Sequence, residues 1–139
     1  MAAVHGRLTS IAVDDSGGTS RDISNQVRNS SLQISAQEID VTAYQDTAKK
    51  FIADFQDGTF NIEGNAAATV MGYLYGIVGL TTGTVSVIYG PEGSATGKRK
   101  YTFEAVCTNL NDSGASQGQA NQFQATFRVD GVVTVGTYA

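Results

Sequence analysis

The chain is short of the side chains that most reactions and most ligands need. It has one histidine, one cysteine and nine Lys and Arg residues among 139. A single cysteine, Cys107, excludes an internal disulfide framework and fits a reducing compartment. His5 lies in what reads as a flexible terminus, so neither a Ser-His-Asp nor a Cys-His arrangement has a placed base. No zinc or haem ligand set can be assembled, and no metal or other cofactor is expected. The formal charge is -4 and the basic residues are scattered, which argues against gripping nucleic acid, because phosphate binding needs clustered Lys and Arg. Lys98-Arg99-Lys100 is the one basic run, and it reads as a solvated loop end. The longest apolar run, Ala66 to Leu80, is shorter than the roughly 20 residues a membrane helix needs and is broken by Thr69, Gly72, Gly76 and Gly79. No membrane span is predicted. Met1 to Gly6 has no apolar stretch behind a basic start, so no signal peptide is expected there.

What is present is enough apolar residue, 41%, to build a core. The length predicts one domain over residues 1–139, with 1–6 and 132–139 as candidate flexible ends. Arg7 to Val13 predicts a first strand, closed by the turn cluster Asp14-Asp15-Ser16-Gly17-Gly18. From Val27 to Ala36, Ser30, Leu32, Ile34 and Ala36 alternate with Asn29, Ser31, Gln33 and Ser35, the pattern of a half-buried strand whose outer face is small and uncharged. Thr59 to Glu63 alternates likewise, with Phe60 and Ile62 inward. Asn65 is a suitable N-cap for a helix over Ala66 to Val78, where Val70, Leu74, Ile77 and Val78 share a face and Gly79 is the stop. Strands are predicted over Thr84 to Gly90, Tyr101 to Cys107 and Gln122 to Val129, with a Gly-, Ser- and Asn-rich loop over Asn109 to Gln119 and a hairpin-type signal at Asp130-Gly131. The tail from Val132 reads as a short strand or an extension to a neighbour. Cys107 falls on an apolar strand face and reads as a core residue. The sum is a mainly β, antiparallel domain with one helix, a sandwich or partly closed barrel.

Between Gln37 and Gln56 no period holds for long, yet Val41, Tyr44, Phe51, Ile52 and Phe55 are too apolar for a passive linker. Two readings fit. One is a projecting arm that needs a partner surface. The other is a short helix from Thr47 to Phe55, capped by Asp46, that packs Phe51 and Phe55 on the same core.

No chemistry is legible. Gly93 to Lys98 superficially resembles a phosphate-binding loop, but it has three residues between its glycines, and Arg99 and a strand where a Ser or Thr and a helix are required. Asp54, Asp57 and Glu63, or Asp14 and Asp15, lack the spaced ligand loop of a Ca²⁺ site. A carboxylate hydrolase built on Asp54, Asp57 or Glu63 is the enzyme alternative, and no catalytic residue is assigned.

Several pieces occur in an order that resembles the major tail tube proteins of long-tailed bacteriophages. They are Asp22-Ile23-Ser24 with Val27; Val41-Thr42-Ala43, Asp46-Thr47-Ala48-Lys49 and Phe51-Ile52; Asp57-Gly58, Phe60, Ile62 and Gly64; then a helix, Tyr89-Gly90-Pro91, and strands ending near Phe123 to Val129. The resemblance covers about residues 20–131. It implies a non-enzymatic structural subunit that stacks as homo-hexameric rings into a tube for genome passage. Initiator, terminator and tape-measure proteins would be its partners, in the virion and, during assembly, in the host cytoplasm. It also implies an inter-subunit arm, here Val41, Thr42, Tyr44, Asp46, Thr47, Lys49, Phe51, Ile52 and Phe55. One sheet face would line the lumen, and Ser31, Gln33, Ser35, Asn61 and Glu63 are its candidates. A negative chain with Ser, Thr, Asn and Gln on its strand faces suits a conduit through which DNA slides unbound. Arg128 departs from that logic, by facing the exterior or by pairing with a carboxylate. The alternative from another class is a β-sandwich binding or decoration module.

Overall fold

The computed structural model describes residues 9–79, 83–113 and 121–139. Seven strands form one antiparallel sheet: β1 (Ser10–Asp14), β2 (Ser20–Asp22), β3 (Val27–Asp40), β4 (Phe51–Asn65), β5 (Val85–Gly90), β6 (Arg99–Ser113) and β7 (Gln122–Thr137), in the order β2-β1-β5-β6-β7-β4-β3. One helix, α1 (Ala68–Ile77), joins β4 to β5. The expected mainly antiparallel β architecture with a single helix is therefore the observed one, as a rolled sheet whose edges stay unpaired.

The rolling follows from distances that a flat sheet could not provide. Strands β4 and β5 are three places apart in the order, which in a flat sheet means roughly 14 Å. Yet the Phe60 ring of β4 lies 5.1 Å from the Tyr89 ring of β5 and 5.6 Å from Phe103 of β6. Ser30 of β3 reaches still further round and donates to the Tyr89 hydroxyl at 3.1 Å. The enclosed space is filled by the inward members of each alternation: Ile11 and Val13, Phe60 and Ile62, Phe103, Ala105 and Cys107, and Phe123, Ala125 and Phe127. Each Ile, Val or Phe among them contributes about 1.5–3 kcal/mol on burial. Val70, Leu74 and Ile77, one helical face, close the core from above. The helix stops where Gly79 turns to φ 70° and hands its amide to the Cys107 carbonyl at 3.4 Å.

Three local expectations are corrected. Asn65 does not cap the helix, because its backbone is committed to the sheet, opposite Gln122 and donating to the Gln26 carbonyl at 2.8 Å; the N-cap is Ala67. Asp130-Gly131 is not a hairpin turn. It is a bulge inside β7, where Glu104 pairs with Asp130 and Thr102 with Thr134, so two residues of β6 span four of β7. Gly131 takes the positive φ of 91° that this bulge needs. Of the two readings of the tail from Val132, the strand is the observed one, continuing β7 to Thr137 against Arg99 to Thr102. Finally, residues 109–113, expected in a loop, extend β6. Residues 114–120, which complete that predicted loop, and the terminus 1–8 with His5 lie outside the described residues.

The largest correction concerns the segment without a period. Strands β3 and β4 stay paired beyond the core through Glu38↔Ala53, Ile39↔Ile52 and Asp40↔Phe51, so the arm is a long hairpin, and the helix from Thr47 to Phe55 does not form. Between Ala36↔Gln56 and Glu38↔Ala53, β3 advances two residues and β4 three, so β4 carries one extra residue. That bulge reverses which β4 side chains face which side, and it erased the alternation.

Candidate functional site

Two regions gather the residues singled out from sequence. The first is a polar sheet face. Directly opposed residues of an antiparallel pair share a face. Ser31 is opposite Asn61, Gln33 opposite Thr59, Ser35 opposite Asp57 and Asn29 opposite Glu63. Ser31, Gln33, Ser35, Asn61 and Glu63 are thus brought together. The face continues across β7, where Asn61 meets Thr126, Glu63 meets Gln124 and Thr59 meets Arg128, and on to Asn109 and Asn111 of β6. A shallow groove of about 200 Å³ runs over it, lined by Asn29, Ser31, Asn61, Glu63, Gln124 and Thr126 among others.

This face is cross-linked by its own side chains. Thr126 Oγ1 donates to Asn61 Oδ1 at 3.0 Å and Gln124 Nε2 to Glu63 Oε2 at 3.3 Å. Arg128 donates through Nε to Asp57 Oδ1 at 3.0 Å and through Nη2 to Oδ2, a two-pronged pair. Of the two options left open for Arg128, pairing with a carboxylate is the observed one, and its charge is offset within the face. Glu104, further along β6, accepts from Thr84 at 2.9 Å and from Ser86. The side chains aimed outward here are mostly amides, hydroxyls and carboxylates, with Val106 opposite Arg128 and the charge of that arginine neutralised, a set that offers phosphate little attraction. Gln124, Thr126, Arg128 and Asn109 were missed as members of this face. The alternation of Gln124, Thr126 and Arg128 is visible, but only the register with β4 assigns it a side, and Asn109 belongs to a segment that reads as a loop.

The second region is the hairpin arm. Val41, Tyr44, Phe51, Ile52 and Phe55 are all exposed, Phe55 at 90%. Ile39 and Ile52 oppose each other on one face, while Phe51 sits beside Asp40 on the other. Thr42, Thr47 and Lys49 are exposed on the connecting loop. The loop is held internally. Thr42 Oγ1 accepts from the Lys50 amide at 2.9 Å, the Asp40 carboxylate accepts from the Thr42 amide at 2.9 Å, and Asp46 accepts from the Ala43 amide at 2.7 Å and pairs with Lys50 Nζ at 3.0 Å. The Ala43 amide, followed by Lys50, holds the Asp46 carboxyl below the ordinary carboxylate range; Thr42 does the same for Asp40. The arm is thus an ordered tip with unsatisfied apolar sides.

The carboxylates weighed for catalysis or Ca²⁺ do not converge. Asp57 is tied to Arg128, Glu63 to Gln124 and Asp54 to the Phe55 amide. Asp15 is used by Gly17, Thr19 and Arg21 to fold the β1–β2 turn, and Asp14 accepts from the Ser86 amide. Among the described residues, no three His, Cys, Asp or Glu side chains come together as a metal site. Cys107 is buried, and burial pushes its thiol up to about 11, away from nucleophilic use.

No protein-family model matches the chain, and no curated protein is significantly similar to it in sequence. Solved structures are similar in fold over nearly its whole length. A chain from the tail of an empty GTA particle with C6 symmetry superposes with a TM-score of 0.77 at 11% identity, covering 97% of this chain and 100% of that one. A chain of the SPP1 tail tube gives 0.69 at 8% identity, covering 97% and 80%. A chain of the extended sheath–tube complex of an extracellular contractile injection system gives 0.69 at 12% identity, covering 97% and 92%.

Proposed function

We propose that the chain is a structural subunit of a tail tube, assembling as hexameric rings that stack into a conduit for a genome, with no catalytic role. The observation that carries this reading is the likeness over nearly all of its length to chains of tails and sheath–tube assemblies. The chemistry of its surfaces agrees. In this reading the β3–β4–β7–β6 face, including Ser31, Gln33, Ser35, Asn61 and Glu63, turns toward the lumen, where amides, carboxylates and a neutralised arginine let DNA pass without specific binding. The outer edge of β3 is 14 residues long and unpaired, and an exposed edge of that length is a template for another chain. The hairpin arm supplies apolar surface that its own subunit leaves uncovered. Initiator, terminator and tape-measure proteins are the further partners, and the virion is the place of action.

Electron microscopy of the concentrated protein, and of purified particles, tests this. Rings or tubes about the width of a phage tail are expected. A protein that remains strictly monomeric and is also absent from purified particles would sink the reading.

A further inference from the structure

The connection from β5 to β6, residues 90–98, has little of its own to hold it. Gly90, Gly93 and Gly97 give it much backbone entropy to lose, and residues 94–97 are all exposed. Its internal bonds are two turns, from the Gly93 amide to the Gly90 carbonyl and from the Lys98 amide to the Ala95 carbonyl, each 3.1 Å. Yet Gly90, Glu92 and Gly93 are buried. The cover comes from the end of β7. Beyond the Arg99↔Thr137 pair the ladder goes on: the Tyr138 amide donates to the Lys98 carbonyl and the Tyr138 carbonyl accepts from the Gly97 amide, both at 2.9 Å. Thr96 Oγ1 donates to the Ala139 carbonyl at 3.2 Å. The Tyr138 ring lies so close on Gly90 that a methyl group there would sit 2.7 Å from the phenol oxygen and 2.8 Å from Cε2. Lys100 Nζ stands over the same ring, 5.3 Å from its centroid.

We propose that residues 138 and 139 are a strap whose closure folds the β5–β6 connection and thereby builds one wall of an open groove; when the strap opens, that wall dissolves and the core does not. The groove, of about 290 Å³, lies where the rolled sheet fails to close and is lined by Leu32, Ile34, Tyr89, Pro91, Arg99 and Tyr101. Pro91 and Arg99 flank the strapped connection. Within it the buried Glu92 carboxylate lies 2.9 Å from Arg99 Nε, and the guanidinium so placed is 5.9 Å from the Tyr101 ring centroid. A carboxylate stays desolvated only with a close cation and a covering chain, and both depend here on the fold of residues 90–98. With the strap open Glu92 is hydrated, and Arg99 loses the partner that holds it over Tyr101. The opposite wall survives, because Tyr89 is held by the Phe60 ring at 5.1 Å and by Ser30 at 3.1 Å.

Hydrogen exchange and NMR of dispersed protein test this. In Tyr138→Ser the Gly93 and Gly97 amides should exchange at least about tenfold faster and the Arg99 Nε–H signal should lose its protection, while amides around Phe103 and Phe127 stay within about twofold of the wild type. Tyr138→Phe keeps the ring on Gly90 and should stay within about threefold of the wild type at every one of these sites. Unchanged exchange at Gly93 and Gly97 in Tyr138→Ser overturns the proposal, because the connection would then hold itself. Core amides that speed up in step with them also overturn it, because Tyr138 would then be part of the core. Should Tyr138→Ser not fold, the wild type in low urea decides. The Gly93, Gly97 and Tyr138 amides should share one opening at less urea than the amides around Phe103 and Phe127 need, and separate openings, or exchange only on global unfolding, overturn the strap. The strap belongs to a single chain, so each of these outcomes leaves the tube reading untouched.

Discussion

Two phenylalanines separate what holds the chain together from what, in the tube reading, joins one copy to the next. Phe127 is fully buried, 6.1 Å from the Phe60 ring, whereas Phe55 is 90% exposed on the arm. Phe127→Ala removes a core ring and leaves a cavity, which costs about 3–5 kcal/mol. With a denaturant slope of about 2 kcal/mol per molar, the urea midpoint should fall by about 2 M. Phe55→Ser trims a side chain that is almost wholly exposed, so the stability of the chain should change by no more than about 0.5 kcal/mol. In an assembly where Phe55 is an anchor, its truncation costs about 2 kcal/mol per contact. At about 1.4 kcal/mol per tenfold, the critical concentration for assembly should rise about 30-fold. Urea titration of dispersed protein reads the first quantity and sedimentation of concentrated protein the second. The reasoning fails if Phe55→Ser lowers the urea midpoint as Phe127→Ala does, because the arm would then belong to the core. It fails equally if Phe55→Ser assembles at the wild-type concentration.

Other outcomes follow from single positions. A methyl group on Gly64 would lie 2.0 Å from the Gln26 carbonyl oxygen and 2.8 Å from Val27 Cα, both backbone, so Gly64→Ala should lose about 3 kcal/mol in urea titration. Gly72 has open space around it in α1, and Gly72→Ala should instead gain up to about 1 kcal/mol. The Cys107 thiol keeps its proton to about 11 in the folded chain, while the unfolded chain loses it at an ordinary thiol pKa of about 8.5. The unfolded state therefore binds fewer protons between these values, and stability should fall as pH rises through that window and not below it. A thiol reagent at neutral pH should label Cys107 only as fast as the chain opens. For Asp46 the sign is reversed. Its lowered folded value means that the tip contacts are complete above the usual carboxylate range and are lost as pH falls through the lowered value, which an NMR titration of the Ala43 amide should follow.

Much of the fold was legible because burial on one face leaves a period of two. Phe60 with Ile62 and Phe123 with Ala125 and Phe127 show it plainly, and the helical spacing of Val70, Leu74 and Ile77 is equally direct. What stayed hidden depended on partners far along the chain. Asp130-Gly131 reads identically as a turn or as a bulge, and only pairing with β6 decides. Asn65 has the side chain of a cap, but Gln26 and Gln122 claim its backbone. The pairing of Arg128 with Asp57 spans 71 residues. The arm hid for two reasons: an extra residue shifts its phase, and its outward side chains are apolar on both sides, so no alternation survives. The members of the polar face were visible strand by strand, while their union across four strands was a product of register.

That phase shift bears on how many molecules an assembly must contain. A hairpin with apolar side chains on one side is satisfied by a single surface and can stop at a pair. Here Ile39 and Ile52 point one way and Phe51 the other, so a lone neighbour leaves half of the arm wet. In the tube reading each arm then has a side for each of two hosts, and each new host brings an arm of its own. A dimer is a dead end under that arithmetic, and growth ends only where the geometry closes or a different protein covers the last exposed side.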